Sequence, residues 1–314
     1  MDTERIAALL KRNEPGRLEP YLISAVKTEV LEGTRTSVHC YGLKLDGNKQ
    51  PRSTALAHYL ADRLIDFAIP RSDMEKAHQE FSKTGSSETW ARLSQRARSL
   101  FNSQEMTGEA GELLLFCMIE AFLRAPQVLC KLSLKTNANM HVHGIDGLHV
   151  RFEKERQELS LFWGESKLKG DFSAAVKSGL SDLHPFLCGD TTKARARDLQ
   201  LVRDNVDLLD DELETALLAY LDPDSQRADA TVHRGVCLIG FDAPNYPAAA
   251  NTQEVNEVVT SIGKSFKRWR TALKTRVAEL EQLDAALLDV FLVPLPSTDE
   301  FRQAFLSRLG LGAA

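Results

Sequence analysis

The sequence predicts a mixed α/β fold, and three observations carry that expectation. Near the middle of the chain three strand-like runs, at about 127–135, 145–152 and 159–167, follow one another with no helix between them. Adjacent strands without intervening helices imply antiparallel hairpins, so the order of elements is a mixed α/β core rather than a regular βαβ repeat. An apolar helix precedes the three strands, and hydrophobic residues make up 43% and charged residues 26% of the 314 positions, enough for a sizeable core in one large domain or two small ones.

In order along the chain, residues 1–103 read as an α+β extension. Residues 36–45 form a strand, 53–67 a helix started by a serine cap, and 72–81 and 87–101 two further helices separated by Gly85 and Ser86. Residues 104–314 hold the core and a helical C-terminal elaboration. Thr107 caps a helix to about 123 whose apolar residues surround most of its circumference, so it should be central and buried, and Pro126 ends it. After the three strands come helices at 172–183, 194–206 and 211–221, a strand at 231–241, a long helix at 252–283, a strand at 287–295 and a last helix at 298–309.

The N-terminal residues have no apolar stretch of signal-peptide length, and the longest apolar run, 113–119, is too short to span a bilayer. The expectation is a cytoplasmic protein with no membrane partner. The five cysteines are scattered without CxxC spacing, which disfavours both a disulfide framework and a zinc finger. A net charge of −5 argues weakly against nucleic-acid binding by bulk charge, so local patches matter more.

The chemistry concentrates on Asp146, at the start of the second strand, and on Glu165 and Lys167, at the end of the third. A turn centred between Glu155 and Arg156 would put Asp146 directly across from Glu165, with Cβ atoms roughly 4.5–5.5 Å apart. Two carboxylates so opposed repel unless something positive lies between them, and oxygen-only ligation suits Mg²⁺ or Mn²⁺. Lys167, two positions beyond Glu165, shares its strand face. That set suits phosphodiester hydrolysis. Glu112, or less readily Glu109, can add a carboxylate from the preceding helix. Asp146, Glu165 and Glu112 are the candidate metal ligands, and with Lys167 the candidate catalytic set.

The helix with an internal glutamate, the strand opening on GID and the strand ending in ESK resemble the PD-(D/E)xK nuclease superfamily. The resemblance implies a restriction-endonuclease-like core, a mixed sheet flanked by helices, with the motif Asp at Asp146, Glu at Glu165, Lys at Lys167 and the helical Glu at Glu112. Ile145 stands where the motif name has proline, a commonly varied position. More narrowly, the GEAGELLLF, HGIDGLHV and WGESKLKG blocks resemble the nuclease-subunit family of the Hachiman anti-phage defence system. That likeness implies an Mg²⁺-dependent DNase acting with a helicase subunit. The rival readings are a nuclease-like fold acting as a scaffold or binding subunit, and an RNase.

An E-x-K on a strand can be a surface ion pair, but that leaves the opposed aspartate unexplained. His141 and His143 suggest a zinc hydrolase, yet the usual HxHxD spacing would need an acid at Ile145. They suit a loop near the catalytic mouth, where His143, like Lys169, is a candidate substrate contact. Trp163 reads as core. Lys267, Arg268 and Arg270, in a basic segment of the long helix, are candidate DNA contacts, although such a run is more often a solvated face.

Overall fold

Seven strands pair into one sheet in the order β1-β2-β7-β6-β5-β4-β3. The computed structural model describes residues 17–101, 108–129, 144–188, 192–206, 208 and 210–311. Within them β1 is Leu22–Val30, β2 Thr36–Leu43, β3 Gln127–Leu129, β4 Gly147–Glu153, β5 Glu158–Lys169, β6 Thr231–Asp242 and β7 Leu287–Leu295. The helices are α1 (Ser53–Asp62), α2 (Leu64–Ala68), α3 (Arg71–Thr84), α4 (Glu88–Ser99), α5 (Glu109–Met118), α6 (Phe172–Leu187), α7 (Thr192–Asn205), α8 (Asp211–Leu221), α9 (Val255–Glu279) and α10 (Thr298–Leu309). The mixed α/β fold is therefore the one expected. Strands β1 with β2 and β3 with β4 with β5 are antiparallel, while β5, β6, β7 and β2 run parallel to one another.

The β4–β5 hairpin has the register read from its turn. Glu153 pairs with Glu158, Leu148 with Trp163, and the ladder ends at Gly147 with Gly164, so Asp146 and Glu165 occupy the next opposed positions. Because side chains alternate along a strand, β5 offers one face to each flanking layer. Helix α5 lies over Gly164, Ser166 and Leu168, and a Cβ at Gly111 would stand only 3.1 Å from Leu168 Cγ and 3.2 Å from Ser166 Oγ. Helix α6 lies over the opposite face, where a Cβ at Gly179 would meet Cys237 Sγ at 2.9 Å and Lys167 Cγ at 3.3 Å. Each glycine lets its helix approach β5 more closely than a side chain would allow. The apolar α5 is buried along its length except at Glu109 and Glu112, as expected of a central helix.

Differences from the sequence reading have local causes. Strand β1 was missed because only Leu22 in it is fully buried, so an edge strand leaves little apolar alternation. The helix expected at 53–67 divides at Arg63, and Arg52 rather than a serine stands at its cap. Helix α5 passes into a π-helical turn, Ile119–Leu123, before Pro126. Helix α9 starts at Val255, where the Glu254 and Glu257 side chains form a reciprocal capping box. Thr107 and the later part of the strand expected at 127–135 lie outside the described residues. Strands β1 and β2 belong to the same sheet as β5, so the sheet runs across the boundary at residue 103 that composition suggested. No helix among the described residues is long and apolar enough to cross a membrane.

Candidate active site

Asp146 is fixed from two sides. Asp198 of α7, almost wholly buried, accepts a hydrogen bond from Ile145 N at 3.2 Å, which holds the backbone just before it. Ser166 then donates to Asp146 Oδ2 from both its backbone N and its Oγ, each at 2.8 Å. These backbone and hydroxyl donors fix the orientation of the Asp146 carboxyl group. Glu165, one position earlier on β5, projects to the other face and is only 4% exposed.

Lys167 bridges two acids on that face. Its Nζ lies 2.5 Å from Glu165 Oε1 and 2.9 Å from Asp182 Oδ2, the latter on α6 one turn beyond Gly179. Burial alone would lower the lysine's pKa, but attraction to Glu165 and the hydrogen bonds that Lys167 donates to Glu165 and Asp182 outweigh it and raise it, so the ammonium is retained. Glu165 is pushed up to about 8, first by burial and then by the neighbouring Asp146 charge, against the pull of Lys167. The site thus holds more carboxylate charge than its lysine offsets. Opposed oxygen donors short of positive charge fit a hard divalent cation such as Mg²⁺ or Mn²⁺.

Glu112 is half-buried on α5, next to Gly111, where a Cβ would stand 3.2 Å from the Oγ of Ser166, the residue that holds Asp146. Glu109 instead turns back to its own helix end, where its Oε2 accepts from Gly108 N at 3.3 Å. Among the described residues no three His, Cys, Asp or Glu side chains converge tightly enough to hold an ion. Asp146, Glu165 and Lys167 are therefore brought together, whereas Glu112 stands nearby on the α5 side. His141 and His143 lie outside the described residues.

The candidate substrate contacts divide. Lys169 is exposed at the end of β5, and Lys267 and Arg268 are exposed on α9. Arg270 is instead engaged with the N-terminal hairpin, its guanidinium 2.6 Å from Glu29 Oε2, and Lys274 one turn later reaches Glu32 at 3.1 Å. Part of the basic run thus joins α9 to β1 and its following turn. Trp163 is fully buried, its Nε1 donating to His233 Nδ1 at 3.0 Å, in agreement with a core role. Sequence reasoning missed Asp182, Ser166 and Asp198. Spacing offered no signal for Asp182 among the other acids of the chain, and Ser166 was legible only as the middle of ESK.

A family model described as HamA matches residues 19–309 of the chain. No curated protein matches it.

Proposed function

The chain belongs to the HamA family and so to the Hachiman antiviral defence system, and from that premise we propose that it is a divalent-metal-dependent deoxyribonuclease of the PD-(D/E)xK kind, working with a helicase subunit. The observation that carries the reading is the hairpin register. Its ladder ends at Gly147 with Gly164, next to Asp146 and Glu165, and the Lys167 ion pair with Glu165 and the Asp146 charge felt by Glu165 support a shared site.

Asp146 and Glu165 would hold Mg²⁺ or Mn²⁺, with Glu112 adding a carboxylate from α5. When bound, the ion lowers the pKa of a water and offsets charge that grows on the phosphate during in-line attack. The chain's own groups do the remaining work. Ser166 fixes the Asp146 carboxylate, and Asp182 holds the Lys167 ammonium beside Glu165. Lys167 orients the attacking water or neutralises a phosphate oxygen, and being preorganised it does so without reorganisation during the reaction. Lys169, Lys267 and Arg268 supply exposed positive charge for a DNA backbone.

The test is plasmid degradation with Mg²⁺ by the purified chain, alone and with the product of the neighbouring gene, with and without ATP and DNA ends. Asp146→Asn, Glu165→Gln and Lys167→Ala should each abolish cleavage while leaving the protein folded, and a double variant should be hardly worse than either single one. A variant that keeps most Mg²⁺-dependent activity removes its residue from the site.

A further inference from the structure

A second charged site lies at the other end of β5. Seven residues of strand separate Glu158 from Glu165, a distance on the order of 20 Å. Here a cavity of about 720 Å³ opens among Arg35, Arg151, Lys154, Arg156 and Arg234, with Glu153, Glu155 and Glu158 also in its lining. Its volume is in the range of small-molecule sites. The strand register builds it. Arg151 pairs with Ser160 and Phe162 with Arg234, so the β4, β5 and β6 side chains stand on one face of the sheet.

Two guanidinium groups are packed against one phenyl ring, Arg151 at 5.2 Å and Arg234 at 5.4 Å from the centre of Phe162. Their states differ. Arg151 is fully engaged: Glu153 Oε1 lies 2.7 Å from its Nε and Leu123 O lies 2.5 Å from its Nη1. Arg234 reaches Asp289 Oδ2 only at 3.5 Å, and the other oxygen of that carboxylate already meets His39 Nε2 at 2.9 Å. Its Nε is closed off from solvent with no hydrogen-bond partner. The terminal nitrogens are the reachable ones: the side chain is a quarter exposed and held only by that 3.5 Å contact, so a guanidinium with little internal pairing is left for an anionic acceptor in the cavity. Arg35 and Arg156, both exposed, add charge at the mouth.

We propose that this cavity binds a small phosphate-bearing molecule of nucleotide size, gripped by Arg234, Arg156 and Arg35. Glu155 and Glu158 favour a compact ligand, since they would repel a duplex backbone drawn across the opening. The site is separate from the nuclease reading and stands or falls without it.

The experiment is calorimetric titration of the whole chain with inorganic pyrophosphate and with ATP, in EDTA so that no metal bridges phosphate to Asp146 or Glu165. The expected result is saturable binding of one or both probes. Arg156→Ala, Arg35→Ala and Arg234→Gln should each weaken it by about tenfold, while Asp146→Asn leaves it unchanged. ATP bound in preference to pyrophosphate would add recognition of the base, and equal binding would assign the site to phosphate alone. The exposed Arg35 and Arg156 variants keep the test valid should Arg234→Gln fail to fold. Absence of binding by either probe, or binding indifferent to all three arginines, overturns the proposal. So does an arginine-dependent affinity for a short DNA duplex where both small probes fail.

Discussion

Burial and the Asp146 carboxylate both oppose ionisation of Glu165, and a pKa pushed up to about 8 makes that cost visible in stability. Between its ordinary value of 4.5 and about 8 the folded protein binds more protons at this position than the unfolded chain does. Metal-free stability should therefore fall as pH rises through that window, by an amount on the order of 3 kcal/mol at pH 7, and Glu165→Gln should flatten the dependence in thermal melts. A melting profile that Glu165→Gln leaves unchanged would contradict this. Asp182 is a positioning residue in the proposed reaction, because it touches Lys167 rather than substrate. Asp182→Asn should lower kcat about tenfold with little change in KM. Its half-exposed side chain should leave melting nearly unchanged, and Asp182→Glu should recover part of the rate. A change confined to melting would make Asp182 structural only. At this scale the sequence exposed the residues whose spacing follows a strand's twofold period: Asp146, Glu165 and Lys167. Asp182 and Asp198 were hidden because they arrive from helices far along the chain, and no local period encodes that approach.

The hairpin is the element that sequence reasoning recovered best, since the turn at 154–157 fixes every pair in it. The helices flanking it were found, but their ends were not. Helix α6 continues through Pro185 to Leu187, past the 183 at which the pattern stopped, because packing of Leu183 and Phe186 into the core outweighs the proline's lost hydrogen bond. The contact between α6 and β5 depends on Gly179, and its substitution tests the coupling of helix to site. Gly179→Ala would place a Cβ 2.9 Å from Cys237 Sγ and 3.3 Å from Lys167 Cγ, so it should cost about 1–3 kcal/mol and reduce cleavage as Lys167 shifts. Cys237→Ala in the same chain should relieve the closer clash and restore part of both. Additive losses in the double variant, read from denaturant melts and cleavage rates, would show that the glycine does not set this spacing.

Across the whole molecule, α9 serves two neighbours. Arg270 and Lys274 pair with Glu29 and Glu32, while Lys267 and Arg268 are exposed. Replacing Lys267 and Arg268 by Glu should weaken DNA binding for all sequences alike and flatten its salt dependence, whereas Arg270→Glu should chiefly loosen the β1 edge. Unchanged DNA affinity with loss of a protein partner would assign the exposed pair to an interface instead. Sheet membership was the least legible property at this scale, because nothing local in residues 36–40 announces a partner at 288–292. That pairing also bears on how the chain is made. Strand β7 lies between β2 and β6 in the sheet, although it is the last strand of the seven in chain order. During synthesis the β1–β2 hairpin emerges early, yet its place beside β7 does not exist until residues 287–295 have left the ribosome. Closing so long a loop is entropically costly and slow. The hairpin's inner edge stays unpaired for that interval, which makes the nascent chain dependent on rapid completion or on a chaperone to keep the edge from pairing elsewhere.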